Sequence, residues 1–532
     1  MKKTILYLVS ISFILFLINS CSTNVGNRNE IIPQYYITID STINKNAPAL
    51  QSFSQGVSGD EWLLFAGRTN SIKTYEGGLH NLDSNYKNTS FIPLSFNDSI
   101  FVYNPILDNK PIKIHYNTLV EKISEECFEK IGELTIPCIK LRSFLNENLS
   151  IFRNTNALVK QDGDFLYVVG GYGAIMDSLN TANYKTFNHV SKINVPNMIK
   201  LIKGENLPLY DVKNIISVGK NEKLISTGGE LYILNNTFYL SGGHNFGGKA
   251  ANGQKYVDAV YPFTLETFDD DENSYILNVI VDTPISDVPN PQASGTDATS
   301  IFRRRDGPIT PNLYKVNSTI KPGLTFYAGV FRPDSIVINN KDTTSYHLAW
   351  NNAIYVHPEK NVGSKKYTYD SSYNQKNFNV YSCPNFVFFD TKSEILHTFL
   401  LGGIGDGERA KIGHLSGFTN TGVHIKMNIG DESLRSSHEV LSYDIFKKGQ
   451  NKPPFYGAEG ILFPNKNLTY SEFSEEIIDI NKSISNENKS IFVGYIYGGI
   501  EAFESNPGTY GQGKSRASNR IWKVTLTKQS LD

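Results

Sequence analysis

Six short apolar runs, each ending in a small residue and a glycine, punctuate the chain. They read WLLFAG (62–67), FLYVVGG (165–171), TFYLSGG (237–243), LTFYAG (324–329), HTFLLGG (397–403) and GYIYGG (494–499). Runs this short, rich in aromatic and β-branched residues and stopped by glycine, read as strands. Each has an apolar or alternating partner nearby, such as ALVKQDG (157–163), GELYILN (229–235), PNFVFFD (384–390) and GAEGILFP (457–464). Tight polar turns, QDGD (161–164), LNN (234–236) and DTKSE (390–394), join several of the pairs as hairpins. Further strands follow the doublets: SIFVYNP with PIKIHY (99–116), HVSKINV with MIKLI (189–202), and EVLSYDI (439–445). One stretch breaks the pattern. TLVEKISEECFEKIG (118–132) has apolar residues at helical spacing and predicts a short helix in the insertion before the second unit.

The second glycines, Gly67, Gly171, Gly243, Gly329, Gly403 and Gly499, are spaced 104, 72, 86, 74 and 96 residues apart. Six units at that spacing take up nearly all of the chain after position 20. Four-stranded units repeated around an axis make a β-propeller. A pair of β-sandwiches also has short strands and turns, but it does not explain six matching diglycine strands. The expected fold is therefore all-β: a six-bladed, kelch-like propeller of four-stranded antiparallel blades spanning residues 35–532. The last unit ends one strand short after NRIWKVTLT (519–527). YYITI (35–39) is the unassigned strand, and pairing it beside 520–527 closes the ring and removes two exposed edges.

The diglycine after an apolar strand, with VYNP and SYDI farther on, resembles the kelch repeat. Kelch units usually run near 50 residues; these are longer and carry insertions. GRTN (67–70), DGDFLYVVGGYG (162–173), SGGHNFGG (241–248), FRRRDGP (302–308), GVFRP (329–333) and GYIYGGIE (494–501) look like an uncharacterised group of kelch-type envelope proteins of Bacteroidota. That resemblance implies a six-bladed propeller and implies no reaction.

The N-terminus changes the cellular picture. Lys2 and Lys3 precede a largely apolar run over 5–18, too short to span a bilayer as a helix and typical of a secretory signal. Ile18-Asn19-Ser20-Cys21 resembles the bacterial lipobox, which implies a signal peptide over 1–20, a lipidated Cys21, a polar tether over 21–34 and an outer-membrane address. Fifty-one Lys and Arg against 52 Asp and Glu give a net charge of −1, which excludes a broadly basic nucleic-acid binder. Four cysteines are too few for a disulfide scaffold. Cys127 and Cys138, 11 residues apart, are a possible disulfide in an oxidising envelope, leaving Cys383 free.

In such a propeller the loop after each doublet opens around the central channel. Arg68, Tyr172, His244, Asn245, Arg332 and Glu501 stand at those positions, with Ile404 in the fifth unit. Arg303 and Arg305 enter from the loop before a doublet strand, as part of the run Arg303-Arg304-Arg305-Asp306 that is expected at the same mouth. These eight polar residues are the candidate ligand set, since arginine forks match carboxylates, phosphates and sugar hydroxyls. No CxxC, HExxH, P-loop or dinucleotide fingerprint is present, so neither a metal nor a cofactor is expected. The copper set of galactose oxidase, another kelch-type propeller, is not matched. Asp98-Ser99-Ile100, Asp177-Ser178-Leu179 and Asp334-Ser335-Ile336 resemble O-glycosylation sites of Bacteroidota envelope proteins. The expected function is a lipid-anchored binding module for an envelope protein or a glycan. The alternative is a sugar-acid enzyme of the sialic-acid mutarotase type, with acid–base groups in the channel.

Overall fold

In the computed structural model every diglycine run is the second strand of a four-stranded antiparallel sheet. The structure describes residues 35–529 apart from 43, 70–94, 132–135, 175–183, 247–253, 269–273, 292–299, 339–340, 376–379, 406–416, 431–434, 447–454, 486–487 and 504–514. The signal segment, Cys21, the tether and Ser178 lie outside the described residues. The described residues are 51% strand and 14% helix, an all-β six-bladed propeller.

Blade 1 runs outward through Ser54–Ser58, Glu61–Phe65, Ser99–Tyr103 and Ile112–His115, and blade 2 through Leu158–Asp162, Phe165–Val169, His189–Asn194 and Ile216–Lys220. Blade 3 is Thr227–Leu234, Thr237–Phe246, Ala259–Thr267 and Leu277–Val281. Blade 4 is Ile309–Val316, Thr319–Phe326, Ala353–Val356 and Tyr367–Asp370. Blade 5 is Asn385–Asp390, Ile395–Leu401, Gly422–Asn428 and Ser436–Val440. Blade 6 is Ile461–Pro464, Ser490–Tyr497 and Ile521–Lys528, completed by Tyr35–Ser41 from the other end of the chain. Its register, Tyr35↔Lys528 to Ser41↔Trp522, is the closure expected from the missing strand.

The core is not one mass. Six apolar clusters fill the six gaps between neighbouring blades. At the junction of the first and last blades, Trp62 stacks on Phe463 with ring centroids 3.9 Å apart. Burial of alternate strand residues on both faces of each blade holds the ring together. The doublet glycines make this close packing possible. All six second glycines have positive φ. A Cβ on Gly170 would lie 2.1 Å from the Ser226 carbonyl oxygen of the next blade, so no side chain fits there.

Two expectations need correction. MIKLI is not a strand: Val195–Lys203 is a helix that buries Met198, Ile199, Leu201 and Ile202. Asn194 caps it by accepting from the Asn197 N–H, and Pro196 sits in its first turn. An apolar run of five cannot distinguish the two periods by itself. EVLSYDI is a strand only as far as Val440. The expected helix is present as Tyr116–Ile131, and Ile136–Glu147 follows it. A Cys127–Cys138 disulfide joins the two helices against the first two blades.

Candidate functional site

The innermost strands of the six blades line the channel, and one residue at or just before the start of each sets its upper rim. These residues are Ser52, Asn156, Gly228, Asp306, Ser382 and Glu459, and all six have left-handed φ, between +49° and +68°. Five are not glycine, an arrangement that costs conformational energy and persists only where neighbours hold it. The neighbours here are the adjacent blades. The N–H of Asn156 donates to Ser52 O, Gly228 to Asn156 O, Asp306 to Gly228 O, Ser382 to Asp306 O and Glu459 to Ser382 O, at 2.7–3.1 Å. At the remaining junction, between the first and last blades, a side chain makes the link: Ser52 Oγ donates to Glu459 Oε2 at 2.8 Å.

Below this rim lies a cavity of about 250 Å³, lined by all six blades, with Glu230, Asp306, Glu459, Asn385 and Cys383 among its walls. Glu459 is the most firmly placed of these. Besides Ser52, Asn156 Nδ2 donates to it at 3.1 Å and Ser382 Oγ at 3.0 Å, so donors from three other blades fix one carboxylate. Asp306 pairs with Arg305 Nε at 2.8 Å. Burial lifts the Asp306 carboxyl above its ordinary range, although Arg305 opposes the shift.

Glu230 differs from both. It lies on the innermost strand of blade 3, enclosed by protein, and its remaining accessible surface faces the cavity. No hydrogen bond or ion pair reaches its carboxyl group among the described residues. Burial first, then the nearby Glu459, push it up to about 8, so it holds a proton at neutral pH. The Cys383 thiol is pushed up to about 12 by burial and is therefore a protonated wall group rather than a nucleophile.

The other end of the channel is crossed by a segment of the chain. Between the first two strands of blade 6, Ser474–Asp479 turns back and pairs parallel with the innermost strand of blade 5, Val387 opposite Ile477. Glu476 on this segment makes an ion pair with Lys160 of blade 2, on the opposite side of the ring. A larger space of about 800 Å³ lies around this crossing, bounded by the turns of the hairpins.

The eight residues expected at the mouth divide into groups. Arg68, His244 and Arg305 come together above the rim, within electrostatic reach of one another or of Glu459. Burial lowers the Arg68 pKa to about 9, which leaves it a cation, and its guanidinium faces the Gln51 side-chain oxygen. His244 Nδ1 lies 3.0 Å from Thr227 O, so this nitrogen carries the hydrogen. Burial and Arg305 hold the ring neutral. Arg303 lies over the Tyr256 ring, 4.0 Å from its centroid. Tyr172 is buried with Phe96, Tyr184 and Phe246, an apolar patch under the loops. Asn245 is half-buried opposite Lys255, and Arg332 is half-buried opposite Leu348 on a separate hairpin, beside Arg304. Glu501 is held entirely within its own blade: Arg516 Nη2 at 2.7 Å, Ser518 Oγ at 2.9 Å and Arg520 Nε at 3.0 Å take both of its oxygens. Ile404, the apolar member, packs with Ala328 and Val330.

Sequence reasoning missed Glu230 and Glu459, and it placed Asp306 at the mouth with the three arginines rather than in the cavity wall. A signal existed for the rim: Ser52, Asn156 and Gly228 each stand 15 residues before the second glycine of their unit. In the last three blades the insertions differ in length and hide it.

No family model matches the chain, and no curated protein does. Among solved structures, one described as "Structure of YjhT" is similar at 12% identity and a TM-score of 0.38, over 92% of this chain and 100% of that one. Likeness at that distance carries no residue assignment.

Proposed function

We propose that this protein is an envelope-anchored, kelch-type propeller that binds a small hydroxylated ligand, a sugar unit of a glycan, in its channel cavity. One observation carries the reading. Glu459, Asp306 and Glu230 converge on a space the size of a monosaccharide, and Glu459 is held in place from three blades. Pockets with few, firmly placed polar groups are suited to orienting such ligands. The lipobox-like Ile18–Cys21 supports the anchor. The test is ligand-observed NMR against a monosaccharide panel. Saturable binding that Glu459→Gln weakens tenfold or more supports the reading. A panel with no binder at millimolar concentration overturns it. For the anchor, Cys21→Ala moves the protein from the membrane fraction to the soluble one; an unchanged partition overturns it.

A second reading is acid–base catalysis on the bound sugar, and Glu230 is what favours it. A carboxylic acid that keeps its proton at neutral pH, close to ionisable Glu459 and Asp306, is the pairing that opens a hemiacetal ring: one group protonates the ring oxygen and another takes the hydroxyl proton. Anomer exchange followed by NMR then slows at least a hundredfold in Glu230→Gln. Equal rates in the two proteins remove this reading.

A further inference from the structure

We infer that the cavity selects a ligand bearing a protonated primary amine, of the amino-sugar class, over a neutral sugar or a sugar acid. The inference rests on the cavity being the binding site proposed above. Three carboxyl groups line the space, Glu230, Asp306 and Glu459, whereas the nearby cations Arg68, Arg305 and Lys160 do not reach its wall. Two of those cations are already matched, Arg305 by Asp306 and Lys160 by Glu476. Glu459 takes three donors and the field of Arg68. Glu230 is the carboxyl left over, enclosed, without a partner among the described residues and facing the void. An enclosed carboxylate without a partner is costly, so it either keeps a proton or accepts a cation. An ammonium group supplies both the charge and three N–H donors, and the wall around Glu230 is rich in acceptors. A sugar acid brings a second negative charge to the same place.

This separates the protein from the sugar-acid chemistry of the mutarotase-type propellers. The selectivity is charge against charge in an enclosed space, where Coulomb interactions are strong.

Titration calorimetry with glucosamine, glucose and glucuronic acid tests it. Glucosamine is expected to bind at least tenfold tighter than glucose, and glucuronic acid weakest. At pH 7, in two buffers of different ionisation enthalpy, glucosamine releases close to one proton as Glu230 ionises against it. In Glu230→Gln both the amine preference and the proton release vanish. Equal binding of glucosamine and glucose, tightest binding of glucuronic acid, or no proton release from the native protein overturns the inference and leaves the sugar site standing. Failure of all three ligands overturns the site and the inference together.

Discussion

Glu501 and Glu230 are both enclosed carboxyl groups of the same ring, and they have opposite surroundings. Glu501 follows a diglycine doublet, where the repeat draws attention, and both of its oxygens are taken by Arg516, Arg520 and Ser518. Glu230 follows a glycine pair too, Gly228-Gly229, but one that opens an innermost strand and lies outside the six doublet strands. It stands on that innermost strand and lines the cavity, with no hydrogen-bond or ion-pair partner among the described residues. The first geometry holds a loop to its blade; the second leaves chemical capacity unspent. Among the described residues of this propeller, those after the doublets mostly brace the blades, and the carboxyl group left without a partner belongs to the channel wall.

The largest effect tests the bracing side. Glu501→Ala leaves two arginines facing each other without their carboxylate. Removing one partner of a buried ion pair costs 3–5 kcal/mol, and because the arginines are 41% exposed the lower end applies, about 3 kcal/mol. A thermal melt reads this directly, and ligand binding by the surviving folded protein stays unchanged. A loss below about 0.5 kcal/mol would mean that solvent already satisfies the arginines.

The next effect tests the channel side and appears as pH dependence. The Glu230 carboxyl has its pKa raised from 4.5 to about 8 by burial and by Glu459. Between those values the folded state holds a proton that the unfolded state has lost. Stability therefore falls as pH rises through that window and levels off above pH 8. The size is roughly 2–3 kcal/mol after allowance for water in the cavity. Denaturant melts from pH 5 to 9 show the slope in the native protein and a flatter profile in Glu230→Gln. Parallel profiles would mean that Glu230 ionises normally and that the contrast with Glu501 is false.

The ring, its closure and the place of every doublet strand were legible, because a repeated glycine that no side chain can replace leaves a mark in the sequence. Gly170, pressed against Ser226 O, is such a mark. The strand Tyr35–Ser41 was legible from a deficit, one strand short at one end and one over at the other. Glu230 was not legible, since its role depends on which residues from other blades fail to reach it. Asp306 was expected at the mouth with three arginines, and those arginines turned out to do different things: Arg303 lies over Tyr256, Arg304 hydrogen-bonds to backbone carbonyls beside Trp350, and Arg305 pairs with Asp306. The crossing of the channel by Ser474–Asp479 left no periodic signal, because among the described residues no other blade has a strand paired parallel to its innermost strand.

Glu459→Gln gives the smallest change in stability and the sharpest view of the contrast. Glutamine keeps one acceptor oxygen for Ser52 and Asn156, and the Ser382 hydroxyl can turn to accept from the new amide. The loss is that of charge assistance, about 1 kcal/mol. Its more telling consequence lies across the cavity. After burial, the charge of Glu459 is the largest influence raising the Glu230 pKa, so removing it moves the Glu230 transition to lower pH. Glu501→Gln, in a separate cluster, leaves that transition where it is. Carbon-detected NMR titration of the Glu230 carboxyl in the three proteins distinguishes the cases. A Glu230 midpoint equal in native protein and Glu459→Gln would show that the two groups do not share one cavity, and the distinction between a bracing carboxylate and a waiting one would then have to be drawn elsewhere in the ring.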